Sequence, residues 1–278
     1  ATNTIQPEAY RYMIDEVLQM QKPELIILDA RAFEYRDNPE VEKGPSDVSY
    51  RNILTGMRFG KNKIKFIQKN VGTRLNANKL SYYFDLIKFH TTFQYSKDKK
   101  DMMFGKYRNK FNGFTFIPKH EKIEPIDFRT DEIEKLPDDT NGILIDLLEY
   151  IKQKELNCLF VVVPYAEEKT HKEKYNYVEK IVNQYGYQFI DANEYTHEMN
   201  FDFSTDLYNI NHANIFGAEK YTDFLSEYMI QNYSIPDRRN ENQYVFMNDY
   251  LEEWNDETVK TKKEIMKIIE EEEENVEE

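Results

Sequence analysis

Cys158-Leu159-Phe160-Val161-Val162-Val163 is an unbroken apolar run that ends at Pro164. Its length suits a strand, and the missing polar alternation predicts burial on both faces, the habit of parallel sheets. Just before it, Thr140-Asn141 can cap a helix carrying Leu144, Leu147, Leu148 and Ile151. After it, Tyr175, Val178, Ile181, Val182 and Tyr185 recur at helical spacing up to Gly186, and Tyr187-Gln188-Phe189-Ile190-Asp191 reads as another strand. The same unit opens the chain. Tyr10, Met13, Ile14, Val17 and Leu18 mark a helix between Pro7 and Lys22-Pro23, and Leu25-Ile26-Ile27-Leu28-Asp29 follows as a strand, again expected to be buried on both faces. A last helix is expected from about Ala218 to Tyr228. Helices alternating with short buried strands predict an α/β fold, a three-layer sandwich with a mostly parallel sheet covered on both faces.

Residues 38–139 interrupt this rhythm and read as a helical insertion or lid. Helices are expected at 46–54, 61–69 and 76–93, and mostly loop at 94–139. The α/β pattern stops after Ile235-Pro236, which divides the chain into an α/β domain at 1–236 and a tail at 237–278. The tail carries an aromatic patch (Tyr244, Phe246, Tyr250, Trp254) and then a charged helix ending in Glu270 to Glu274, read as a solvated terminus.

The net charge of −14, from 37 basic and 51 acidic residues, argues against a nucleic-acid backbone as partner. That charge is unevenly placed. Residues 252–278 contribute −8, so the body of the chain is only mildly acidic. A single cysteine, Cys158, excludes an internal disulfide framework. No stretch approaches the ~20 apolar residues of a membrane span. The opening Ala1-Thr2-Asn3 carries no initiator Met, so residues upstream of it are expected.

In an open parallel sheet, ligands bind beyond the carboxyl ends of the strands. Asp29 and Arg31, Pro164 and Tyr165, Asp191 and Asn193, and the segment from Asp206 to Gly217 belong there. That last segment reads Asp206-Leu207-Tyr208-Asn209-Ile210-Asn211-His212-Ala213-Asn214, just before the final helix. His212 can act as general base for a hydroxyl nucleophile, oriented by an acid or amide a few residues earlier. It can equally cap the helix, with Asn214 satisfying backbone groups. Arg31 and Arg36 suit an anionic group, or pairing with Asp29, Glu34 or Asp37. His90, in Phe89-His90-Thr91, can face a cleft or close a helix end. His120, His171 and His197 lie in polar segments without metal-ligand spacing and are expected to be exposed. No Cys pair, His-Glu-x-x-His or Gly-rich phosphate loop occurs, so no metal or cofactor is implied.

The stretch "TDLYNINHANIFGAEKYTDFLSEYM" resembles the carboxy-terminal block of SGNH/GDSL-type hydrolases, in particular their bacterial surface-polymer acyltransferase and esterase branch. "YRYMIDEVLQMQKPELIILDARAF" and "LNCLFVVVPYAEEKTHKEKYNYVEKIVNQYGYQFID" resemble that branch's helix–strand and later strand–helix–strand, and the similarity spans roughly residues 5–230. The resemblance implies a flavodoxin-like SGNH sheet and an Asp-x-x-His pair before the last helix. Here the position three before His212 holds Asn209, and the nearest acid is Asp206, six before. The family's nucleophilic Ser sits in a Gly-x-Ser-like block on a first strand that would precede Ala1; the one Gly-x-Ser of the chain, Gly44-Pro45-Ser46, falls in the helical insertion and not on such a strand.

The resemblance therefore implies an O-acyl esterase or acyltransferase acting on a surface or secreted polysaccharide. Its site would comprise His212 as base and Asn209 or Asp206 as its orienting group, with Arg31, His90, Tyr165 and Asn214 on the substrate. The serine is expected upstream, so the chain alone is expected to be inactive. The implied partners are an acylated polysaccharide or cell-envelope polymer and a membrane-anchored acyl-transfer protein, and the implied location is extracytoplasmic. The alternative from a different class is a non-catalytic carbohydrate-binding or assembly module that keeps the fold without the triad.

Overall fold

The computed structural model describes residues 6–36, 47–71, 79–89, 111 and 113–277. β1 (Ile26–Asp29), β2 (Cys158–Val162) and β3 (Gln188–Asp191) form a parallel sheet in the order β1-β2-β3. Ile26 lies opposite Cys158, and Leu159 opposite Gln188. The chain is an α/β protein. Every residue of β2 is buried, as its unbroken apolar run requires. β1 departs from the expectation of two-faced burial: Leu28 is covered, but Ile27 is 42% exposed. The reason is position. β1 is an edge strand, and its outer edge has no partner strand among the described residues. An apolar run encodes the tendency to be covered, and neighbours decide whether it is.

Packing divides the chain into two compact units. The first holds Glu24–Arg31, Phe114–Leu136 and Glu155–Glu278 and contains the sheet. Helix α8 (Lys169–Gln184) crosses from β2 to β3 with Tyr175, Val178 and Val182 buried. It ends where Gly186 takes φ +87°, a left-handed exit that costs glycine little. Helix α9 (Ile215–Asn232) lays Phe224, Leu225, Tyr228 and Met229 over Leu159, Val161 and Ile190 of the sheet. It starts three residues before the expected Ala218. Helix α10 (Phe246–Glu277) places the Trp254 ring against Phe114 and Phe116, with centroids 4.7 and 4.8 Å away. Lys262 of α10 also pairs with Glu219 of α9. His120, expected to be exposed, is covered: Nδ1 lies 3.0 Å from Glu272 and Nε2 2.6 Å from the Ser204 carbonyl. Its side chain is 3% exposed because the far end of α10 lies over it.

The second unit comprises Ala1–Pro23, Ala32–Gly113 and Pro137–Lys154 and is helical in its described residues. It contains α1 (Tyr10–Leu18), α3 (Asp47–Thr55), α4 (Lys61–Asn70), the short α5 (Leu80–Tyr83) and α6 (Asp85–Phe89), and α7 (Asp138–Gln153). A five-residue helix, α2 (Arg31–Tyr35), follows β1 directly. The helix expected over 76–93 breaks at Phe84, and its first and last residues lie outside the described residues. The core gathers Tyr50, Leu54, Phe66, Ile67 and Tyr82, with Phe66 edge-on to Tyr12 and Tyr50 at 5.3 and 5.6 Å. α7 is tied to α1 by the Tyr150 hydroxyl, which donates to Asp15 at 2.5 Å. Arg36 is used internally: it pairs with Asp139 at 2.9 Å and with Glu8 at 3.5 Å.

Candidate functional site

The segment before α9 folds into a small antiparallel hairpin, β4 (Leu207–Asn209) and β5 (His212–Ala213), with Asn209 opposite His212. Asn209 makes the turn through its side chain. Its Oδ1 accepts the backbone N–H of Asn211 at 2.9 Å and Nδ1 of His212 at 2.8 Å. Because the backbone N–H can only donate, the shared atom is the amide oxygen, and His212 Nδ1 carries the proton. The lone pair then resides on Nε2, for which the described residues provide no hydrogen-bond partner. Tyr208 stacks on the imidazole, centroids 5.1 Å apart, while His212 stays solvent-accessible. Partial burial and then the Arg31 charge hold the His212 pKa below 6.5. The ring is therefore neutral at pH near 7 and able to take up a proton.

Arg31 approaches from the carboxyl end of β1. Its Nη1 donates to the Asn211 carbonyl at 3.1 Å and Nη2 to the Asn211 amide oxygen at 2.5 Å. The guanidinium rests 3.9 Å above the Tyr165 ring, a cation–π seat that fixes its plane. Tyr165 is 1% exposed, so its contact is with Arg31 instead of solvent. The Tyr165 hydroxyl lies 3.1 Å from His171 Nδ1 and 2.9 Å from the Tyr175 hydroxyl. Asn209, His212, Arg31 and Tyr165 thus come together.

Asp206 and Asn214 stand apart from that group and hold the hairpin's base. Asp206 is buried, accepting from the Asp202 N–H at 2.7 Å and Lys220 Nζ at 2.6 Å, and its described hydrogen bonds do not include His212. Of the two orienting groups open in the sequence, Asn209 is the one that touches the ring. Asn214 caps α9: its Oδ1 accepts the Phe216 and Gly217 N–H groups, and its amide donates to the Thr205 and Leu207 carbonyls. It is 3% exposed and faces no open space. His90 lies outside the described residues. Cys158 is buried, which pushes its thiol up to about 12 and leaves it inert as a nucleophile. Among the described residues no hydroxyl or thiol is hydrogen-bonded to His212, and no group of three or more His, Cys, Asp or Glu is placed to hold a metal ion. No described helix is long and apolar enough to cross a membrane.

A second cluster of ionisable groups lies at the carboxyl ends of β2 and β3. Lys172 of α8 reaches Asp191 at 3.0 Å and Glu194 at 2.6 Å with its own side chain 3% exposed. Burial disfavours the ammonium, but Asp191 and Glu194 outweigh it and raise the Lys172 pKa. Glu167 is buried beside this pair. Lys172 sits three residues before Tyr175 on the buried stripe of α8, and a lysine in register with Tyr175, Val178 and Val182 is the sequence signal that marks it. Compared with known proteins, the chain matches no family model, no curated protein and no solved structure.

Proposed function

We propose that this chain carries the base of an SGNH-type O-acyl esterase or acyltransferase that acts on a surface or secreted polysaccharide outside the cytoplasm. The observation that carries the reading is the pair His212–Asn209: a neutral imidazole with Nδ1–H held by an amide and Nε2 open, on a hairpin at the start of the last helix over the sheet. In the proposed reaction Nε2 removes the proton from a serine hydroxyl as its oxygen attacks the acyl carbonyl carbon. The resulting imidazolium then returns that proton to the departing alcohol. Asn209 keeps the ring in the required tautomer, stabilising the imidazolium less than a carboxylate would. Arg31, seated on Tyr165 and bonded to Asn211, fixes the turn that presents His212.

The serine is proposed to come from a strand preceding Ala1. The outer edge of β1, which has no partner strand among the described residues, and the exposure of Ile27 support this: a further strand there would pair that edge and extend the parallel sheet. The partner this implies is an acylated cell-envelope polymer, with a membrane-anchored protein supplying or receiving the acyl group.

The test uses the coding sequence upstream of Ala1. The longer protein is expected to hydrolyse p-nitrophenyl acetate, the chain from Ala1 alone is not, and His212→Ala in the longer form should lower turnover by about 10³-fold or more. Unchanged turnover in His212→Ala rejects the assignment. The second reading, a non-catalytic carbohydrate-binding or assembly module, is favoured by one observation, the amide at position 209 where the family pattern has an acid. It predicts a longer protein that binds polysaccharide and hydrolyses no ester.

A further inference from the structure

Glu167 is 1% exposed, and neither of its carboxyl oxygens receives a hydrogen bond from a described donor. The charged groups facing it come from three elements: Lys172 from α8, Asp191 from the end of β3, and Glu194 from the 3-10 turn Ala192–Tyr195. Glu179 of α8 faces the same three groups from the next turns. Among the described residues one cation thus serves four carboxyl groups, and it is committed to Asp191 and Glu194. Asp191 is held through both oxygens: Oδ1 accepts the Asn193 N–H at 3.1 Å and the Asn193 amide at 3.0 Å, and Oδ2 accepts Lys172 Nζ, which leaves Oδ2 room for one more donor.

A second buried carboxylate beside Asp191 would stand uncompensated, with no donor and a like charge next to it. A neutral carboxyl resolves this, because its hydroxyl donates to the Asp191 carboxylate. We propose that Glu167 holds a proton in the folded protein, and that its bond to Asp191 latches residues 164–167 against the turn that presents His212. Burial, and after it the Asp191 charge, push the Glu167 carboxyl up to about 9, in the same direction as the geometry.

The latch reaches the turn through a continuous set of contacts. Asn193, held by Asp191, accepts the Tyr165 N–H at 2.9 Å. The Tyr165 ring seats Arg31, which is bonded to Asn211. In parallel, the Ala166 N–H donates to the Ile210 carbonyl at 2.9 Å. Loss of the proton puts two negative charges side by side, and their repulsion is relieved when Glu167 swings outward and pulls Ala166 from Ile210. The latch is closed through neutral pH and opens in alkali. It rests on the burial of the unpartnered Glu167 carboxyl, the charged groups that face it and these contacts, and goes beyond the hydrolase reading.

The experiment is carbon-13 NMR of the full chain labelled at glutamate carboxyls, together with amide hydrogen exchange, on wild type and Glu167→Gln. The glutamine keeps the shape and donor of a protonated glutamate without the titration. One wild-type carboxyl resonance should remain at the protonated position at neutral pH and disappear in E167Q. Between about pH 7 and about pH 10, protection of the Ala166 and Tyr165 amides should fall roughly tenfold or more in wild type and less than about twofold in E167Q. A Glu167 carboxyl that titrates with the ordinary glutamates overturns the proposal, as does an equal loss of protection in both proteins. Should E167Q not fold, the carboxyl titration of the wild-type chain decides alone.

Discussion

The side-chain oxygen of Asn209 lies 2.8 Å from Nδ1 of His212 while also closing the turn through the N–H of Asn211. One atom therefore shapes the backbone and selects the tautomer of the imidazole. An aspartate can do both as well. Replacing the amide by a carboxylate changes the charge beside the ring and little else. Asn209→Asp should raise the His212 pKa by roughly 1 to 2 units, read from the ring proton shifts in an NMR titration. In the wild type the folded value lies below 6.5. An unfolded chain therefore takes up the His212 proton first as pH falls. The stability this residue contributes is present above about 6.5 and is lost as pH drops through the lower folded value. Asn209→Asp should weaken that loss, and a His212 pKa unchanged in the variant would show that the contact does not persist in solution.

Gly217 lies in the first turn of α9 where the helix meets the base of the hairpin. A β-carbon built there would stand 2.5 Å from the Asp206 carbonyl oxygen, 2.8 Å from the Phe201 ring and 3.1 Å from the Ala213 β-carbon. The first of these is backbone and cannot step aside. Gly217→Ala should therefore destabilise the protein by about 1–3 kcal/mol, although alanine is the better helix former. The midpoint of urea unfolding measures it, and an unchanged or higher midpoint would contradict the close approach.

Lys172 is the one cation of this cluster among the described residues, and its removal leaves Asp191 with the Asn193 hydrogen bonds but no opposite charge. Lys172→Met keeps the apolar stem and deletes the charge. The expected loss is about 3–5 kcal/mol, the range for breaking a buried pair from one side. Thermal unfolding followed by circular dichroism near neutral pH tests this. A variant as stable as the wild type would mean that the carboxyls compensate one another without the ammonium.

What the sequence discloses follows from whether a signal is local. β2 and α8 were legible because an unbroken apolar run and a stripe at helical spacing each state their own burial. The contact between His212 and Asn209 was legible because the two residues meet across a tight turn. Ile27 was not, because its exposure depends on which strand lies beyond β1. His120 and Glu272 are 152 positions apart, and no local pattern anticipates that a polar histidine is covered by the end of α10. Asp206 and Asn214 look like site residues because polar groups in a loop suit catalysis and capping equally. Only the count of their hydrogen bonds separates the two roles.

Ile26 and Cys158 are neighbours in the sheet although roughly 130 residues of chain lie between them. The β2–β3 pairing, by contrast, is bridged by α8 alone. Closing the longer loop carries the larger entropic cost, so the first ladder is expected to form more slowly than the second. Arg31 follows directly on that strand. Its contacts with Tyr165 and Asn211 therefore depend on that long-range pairing, whereas the bonds of Asn209 to Asn211 and His212 are local to the turn.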